Sequence, residues 1–216
     1  MIQTLIDKRD NSEIIRDQIA AILALESAAQ QVKATQAAKD PEAWRLRVYA
    51  ERSNPWESAP DDFAPIVNVW FEKSEVNPRA SDTVERQTYS GVFNIDVYGF
   101  GQSRPDGAGH IPGDEEAAKE AQRGVRLARN IVMASVYTYL DLRGVVGRRM
   151  VDAITIFQPQ ANSDNVAQVV GARVSLRVDF LEYSPQYVGE PLEVLFAKVH
   201  RAEAGQIIIN AEYDYT

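Results

Sequence analysis

The sequence predicts an α+β fold: a mainly antiparallel sheet with helices packed on one face, plus a C-terminal β-hairpin arm. Three observations carry this. Several long stretches repeat with the two-residue period of half-buried strands, and two others have the 3.6-residue period of amphipathic helices. The strand stretches fall in runs rather than in strict alternation with helices. The last stretch, VHRAEAGQIIINAEYDYT, alternates apolar and polar residues up to an Ala-Glu-Ala-Gly turn, then continues through Ile207, Ile208, Ile209, Tyr213 and Tyr215.

The first helix is expected from Asp10 to about Ala38. Asp10 and Glu13 have capping-box spacing, and Ile14, Ile15, Ile19, Ile22, Leu23 and Leu25 recur at helical intervals. From Ser27 the composition turns to Ala, Gln and Lys, a more solvated continuation that Asp40-Pro41 breaks. In WRLRVYAER, Trp44, Leu46, Val48 and Ala50 alternate with polar neighbours as in a strand. After the Pro-bearing turn NPWESAPDDFAP comes a second strand, IVNVWFEK. The polar link SEVNPRASDTVER leads to a third, QTYSGVFNIDVYGFG, with Tyr89, Phe93, Ile95 and Val97 on one face. These three are expected to form an antiparallel meander.

A glycine- and proline-bearing loop, GQSRPDGAGHIPG, leads to Asp114 as N-cap, with Glu115 and Glu116 suited to the positive end of the helix dipole. The second helix carries one stripe through Ala117, Ala121, Gly124, Val125, Ala128, Ile131, Val132, Ser135, Val136 and Tyr139, and stops around Leu142 before Gly144. Two long strands follow, VVGRRMVDAITIFQP and VAQVVGARVSLRVDFLEYSP, joined by a turn at NSD. In the second, Val170, Ala172, Val174, Leu176, Val178 and Phe180 face one way, and Arg173, Ser175, Arg177 and Asp179 the other. PQYVGEP then separates a single domain over 1–190 from a hairpin extension over 191–216, with strands Leu192–Arg201 and Gln206–Tyr215.

Composition narrows the function. The 216 residues are 45% hydrophobic, enough to build a core, and 31 acidic against 23 basic residues leave a net charge of −8. That balance disfavours an electrostatic grip on nucleic acid or anionic membrane. There is no cysteine, which rules out disulfides, thiolate metal sites and a cysteine nucleophile. No stretch approaches the roughly 18 apolar residues of a membrane span, and the first residues lack a signal-peptide pattern. A cytosolic protein without an anchor is the expectation.

The glycine loop offers Gly99, Gly101, Gly107, Gly109 and Gly113, but no phosphate-loop spacing, and Asp114 to Glu116 would repel a phosphate at the helix start. His110 and His200 lack partners at metal-ligand spacing. Ser90 stands in Tyr-Ser-Gly, a strand context rather than a nucleophile elbow. Asp96, Asp152 and Asp179 could gather magnesium ions, yet Asp179 shares a face with Arg173 and Arg177, and such mixed charges on a strand are better read as solvated or cross-strand paired. No catalytic residue, metal or cofactor is therefore expected. Arg123, Arg126, Arg129, Arg143, Arg148 and Arg149 gather around the second helix and its exit, where they suit ion pairs or an interface.

What remains is interface character. A two-stranded hairpin alone is marginal in water, so it must pack on its own body or add to a neighbour's sheet. The protein–protein candidates are Arg104 and His110 in the loop, Arg126, Arg129 and Arg148, and Ile207, Ile208, Ile209, Tyr213 and Tyr215 in the hairpin.

The order of a leading helix, a meander containing YSGVFNIDVYGFG, a loop, the helix DEEAAKEAQRGVRLARNIVMAS, two strands and the ending HRAEAGQIIINAEYDYT resembles the tail terminator, or tail completion, proteins of long-tailed bacteriophages over most of the chain. The resemblance implies a structural, non-enzymatic virion protein of the tail and neck, assembled in the bacterial cytoplasm. Such proteins form a ring, typically a hexamer, that caps the finished tail tube, stops its elongation and joins it to the head-proximal connector. Implied partners are further copies, the tail tube protein, the connector or stopper, and sheath protein where the tail is contractile. DNA would pass through the lumen without specific binding, and no cofactor or membrane is implied. The 101–113 loop and the 192–215 hairpin are the expected contact elements. Other readings are a different neck component such as a connector or stopper, a tail tube or sheath subunit, and, least favoured, a metal-dependent hydrolase or nuclease.

Overall fold

The computed structural model describes residues 5–57, 64–81, 83–107, 109–159, 168–184, 194–200 and 207–214. In chain order these form helix α1 (Asn11–Gln36), strands β1 (Arg47–Ala50), β2 (Ile66–Val76) and β3 (Arg86–Gly101), the short strands β4 (Arg104–Asp106) and β5 (Gly109–Ile111), helix α2 (Gly113–Val132), and strands β6 (Val146–Phe157), β7 (Gln168–Tyr183), β8 (Val194–His200) and β9 (Ile207–Asp214). The chain divides into two compact units, one spanning 5–184 and the other containing β8 and β9.

The larger unit is an α+β structure around one sheet of order β1-β2-β3-β7-β6. Its spine is the antiparallel pair β3–β7, in register from Arg86 opposite Tyr183 to Gly101 opposite Gln168. Alternation drives the layering: Phe93, Ile95 and Val97 of β3 and Val170 to Phe180 at even positions of β7 project to one face. There they share a core with Ile15, Ile19, Ile22 and Leu23 of α1 and with the small-residue stripe of α2. Tyr89 packs at the margin of this core, as its place on the same face predicts. The small start of the α2 stripe has a steric reason. A Cβ at Gly99 would lie 2.2 Å from the Ala117 carbonyl oxygen, and one at Gly101 would lie 2.1 Å from that of Gly113, so the helix backbone rests directly on β3.

Several expectations need correction. The first three strands do not form an antiparallel meander: β1 pairs parallel with β2, Arg47 opposite Ile66. The two strands are separated by residues 51–65, a length that meets the roughly a dozen residues or more a parallel pair requires between its strands; Pro55–Glu57 forms a 3₁₀ turn. Trp44 belongs to another 3₁₀ turn, Pro41–Trp44, where the Asp40 side chain accepts from the Glu42 N–H, so β1 starts only at Arg47. Asp10 is the N-cap of α1 but makes no side-chain cap bond. Instead the Asn11 N–H donates to Glu182 of β7 at 2.8 Å, and Glu13 pairs with Arg9. Leu25, assigned to the apolar stripe, is exposed.

For α2, Pro112 rather than Asp114 is the N-cap, and Asp114 accepts from the adjacent Glu115 N–H at 2.9 Å. The helix ends at Val132, not near Leu142, and a 3₁₀ turn at Ser135–Tyr137 follows. The tighter turn changes which residues face inward. Ser135, Val136 and Tyr139 are exposed, and Tyr137 and Leu140 are buried in their place. Part of the 101–113 loop is ordered as the β4–β5 ladder, with Arg104 opposite Ile111.

In the smaller unit β8 and β9 pair antiparallel, from Val194 opposite Asp214 to His200 opposite Ile207, with one bulge near the turn end. The Ala-Glu-Ala-Gly turn, Tyr215, the NSD turn and the PQYVGEP link lie outside the described residues.

Candidate functional site

The strand alternation that fills the core places polar and aromatic side chains on the opposite face. Asp96 of β3 is 3% exposed, a costly place for a carboxylate unless it is fully partnered. Arg173, directly opposite on β7, grips it with two bonds of 2.6 and 2.8 Å. Trp70 Nε1 and Tyr98 Oη donate to the same carboxylate at 3.0 and 3.3 Å. The Arg173 guanidinium lies over the Trp70 ring at 4.9 Å and the Phe157 ring at 5.2 Å. Burial, and then the neighbouring Asp96 charge, push the Tyr98 hydroxyl well above its ordinary value, and the bond to Asp96 raises Arg173.

The polar layer continues along the strands. Asn94 donates to Glu72 at 2.7 Å and accepts from Ser175 Oγ at 2.8 Å. Asn68 exchanges two bonds with the Arg52 backbone, at 3.0 and 2.9 Å. Toward one end the face is closed by aromatic rings: Trp56 lies 5.1 Å from Tyr98, and Phe157 meets Tyr98 edge-on at 5.9 Å. Between these rings and the Asp96–Arg173 pair is a hollow of about 380 Å³. Its polar atoms are turned onto one another, so the arrangement is suited to holding strands in register.

The other two strand carboxylates are also held by arginines. Arg177 Nε donates to Asp152 at 2.7 Å, and Arg148 Nε to Asp179 at 3.0 Å. Mixed charge on these strands is thus cross-strand pairing. The partner of Asp179 is Arg148, because the β6 register sets those two residues opposite each other. Among the described residues, no three His, Asp or Glu side chains are grouped to hold a metal ion.

The interface candidates separate into several places. Arg104 on β4 pairs with Glu116 of α2 at 2.9 Å, and His110 on β5 is exposed. Gly113 N–H donates to Ser103 Oγ at 3.0 Å, which also ties this small ladder to the helix start. Arg126 and Arg129 lie on the exposed side of α2. Their neighbour Arg123 turns inward to the Ala43 carbonyl and to Glu120. Arg149 also turns inward, donating to the Val132 and Ala134 carbonyls at 2.5 and 2.7 Å and so capping the end of α2; burial lowers its pKa. Arg148 stays outward, with its side chain 68% exposed. Ile207, Ile208, Ile209 and Tyr213 belong to β9.

One surface was not singled out from the sequence. Among the described residues β6 is paired on one side only, as the last strand of the sheet. Its first half is interrupted by two bulges and carries Arg148, Arg149 and Asp152, features that discourage pairing with any strand not matched to them in charge. Its second half, Ala153–Phe157, is regular and uncharged, with Ile154 46% and Ile156 57% exposed. The two-residue alternation looks the same in an edge strand as in a central one, so only the absence of charge in AITIF hinted at this.

Among the described residues no helix is long and apolar enough to cross a membrane. No family model matches this chain, and comparison with curated proteins finds no significant match.

Proposed function

We propose that this protein is a structural subunit of the bacteriophage tail and neck: a tail terminator whose copies form a ring that caps the tail tube, stops its growth and joins it to the head-proximal connector. The observation that carries the reading is a contrast on one sheet. Each of the strand carboxylates Asp96, Asp152 and Asp179 is engaged by an arginine, while the sheet ends in a strand with a regular, uncharged half in which Ile154 and Ile156 are exposed. Paired charge and an open edge suit assembly better than catalysis. The net charge of −8 suits a lumen through which DNA slides without adhering. In this reading the protein is not an enzyme, takes no cofactor and resides in the virion.

Electron microscopy of the purified protein, alone and mixed with assembled tail tubes, tests the proposal. Closed rings, or a cap at one tube end, are the expected result. Dispersed particles that leave tube ends bare would overturn it. A second reading, a tube or sheath subunit, is kept by the same open edge, since head-to-tail contacts that fail to close give filaments. Open-ended polymers in the same images would select it.

A further inference from the structure

We infer that the exposed edge of β6 is an acceptor for strand β9 of a second copy of this chain, added antiparallel and in a definable register. The inference rests on the assembly reading only in that copies must associate. It commits to which strand meets which.

The edge and the donor are patterned in complementary ways. Along β6 the outward base comes first and the apolar residues last: Arg148 at the start, with Arg149 turned in to the end of α2 and Asp152 neutralised by Arg177, then Ile154 and Ile156. Along β9 the order is apolar then acidic: Ile207 to Ile209 first, Glu212 and Asp214 last. Only antiparallel addition sets apolar against apolar and base against acid; parallel addition would put the isoleucines opposite the arginines. The β6 bulge between Val151 and Ala153 leaves Asp152 without a register position opposite it in β7, although its side chain pairs with Arg177. If β9 skips the same residue, Ile209 stands opposite Ile154, Ala211 opposite Val151 and Asp214 opposite Arg148. A shift of one residue would move Ile209 away from the face that carries Ile154, and a shift of two would separate Asp214 from Arg148. Arg148 has capacity for this role: it uses Nε toward Asp179, and its side chain is 68% exposed.

Exposure of Ile154 and Ile156 at an edge is a recognised route to strand addition; among the described residues that edge has no strand partner and β9 pairs with β8 alone, so its other edge can donate. Residues directly opposite across an antiparallel pair have Cα atoms about 4.5–5.5 Å apart, within the span of about 4.4–6.8 Å that a disulfide bridges.

The chain has no cysteine, so a cross-link reports only the residues introduced. The full-length double variant Ile154→Cys/Ile209→Cys, oxidised under assembly conditions and run without reductant, should give a chain-to-chain ladder that reductant collapses. The control Val32→Cys/Ile209→Cys uses an exposed position on α1 and should stay at single-chain mass. Adding Arg148→Glu should weaken the ladder, and adding Asp214→Arg to that variant should restore it. An equal ladder from the control, a cross-link confined to single chains, or no cross-link in particles that microscopy shows to be rings would each overturn the inference while leaving the ring intact. Failure to associate under any assembly condition would remove both.

Discussion

The two faces of the central sheet are made by alternate residues of the same strands, yet they are stabilised in different ways. On the helix side, Phe93, Ile95 and Val97 are fully buried among apolar neighbours, and specificity comes from shape. On the other side, Asn94 and Asp96 are also almost fully buried, but each is held by named hydrogen-bond partners. The first face tolerates apolar exchange of similar volume and resists added bulk; the second tolerates little loss of a polar partner. The β6 edge belongs to neither regime, because its isoleucines are not enclosed and its backbone is paired on one side. The molecule separates surfaces that make the fold from an edge that has no strand partner among the described residues.

Substitutions should expose these regimes in order of size. Gly99→Leu forces a side chain into the α2 backbone, 2.2 Å from the Ala117 carbonyl. It should cost about 3 kcal/mol or more in urea unfolding, and a stable, helix-rich variant would show that α2 does not rest on β3. Asp96→Ala strips the acceptor from Arg173, Trp70 and Tyr98 and should cost about 2 kcal/mol, reduced from fully buried values because Arg173 is partly exposed. Asp96→Asn, which keeps an acceptor, should cost less; equal losses would mean that charge, not hydrogen bonding, holds this face together. Ile154→Lys should change monomer stability by no more than about 0.5 kcal/mol while abolishing association, so a large loss of stability would place Ile154 in the core regime.

The last effect, confined to alkaline solution, is a pH dependence. Tyr137 Oη donates to Glu26 at 2.7 Å, and that bond, with burial, pushes the hydroxyl from 10.0 up to about 12. A folded-state pKa above the unfolded one gives a contribution that is fully present below pH 10 and lost as pH rises toward 12. Tyr137→Phe should flatten the stability profile in that window. An unchanged slope would assign the base sensitivity elsewhere.

The alternation of β3 and β7 was legible because both faces of those strands obey it, and the α2 stripe was legible as far as Val132. What escaped was non-local. Glu182 serves the start of α1 from 171 positions away, which no capping rule can see. The direction of β1 depends on a crossover, and the end of α2 on a change to tighter turns while Val136 and Tyr139 still keep helical spacing. Of the interface candidates, Arg148 was visible only as one of the arginines beyond the exit of the second helix, and its pairing with Asp179 needed the register. The exposure of Ile154 and Ile156 depends on strand order alone.

The most direct test of the central proposal is the length distribution of tail tubes polymerising from purified tube protein, with and without this chain. Added protein should halt growth and leave short tubes capped at one end. Tubes that grow to the same lengths with bare ends would contradict it.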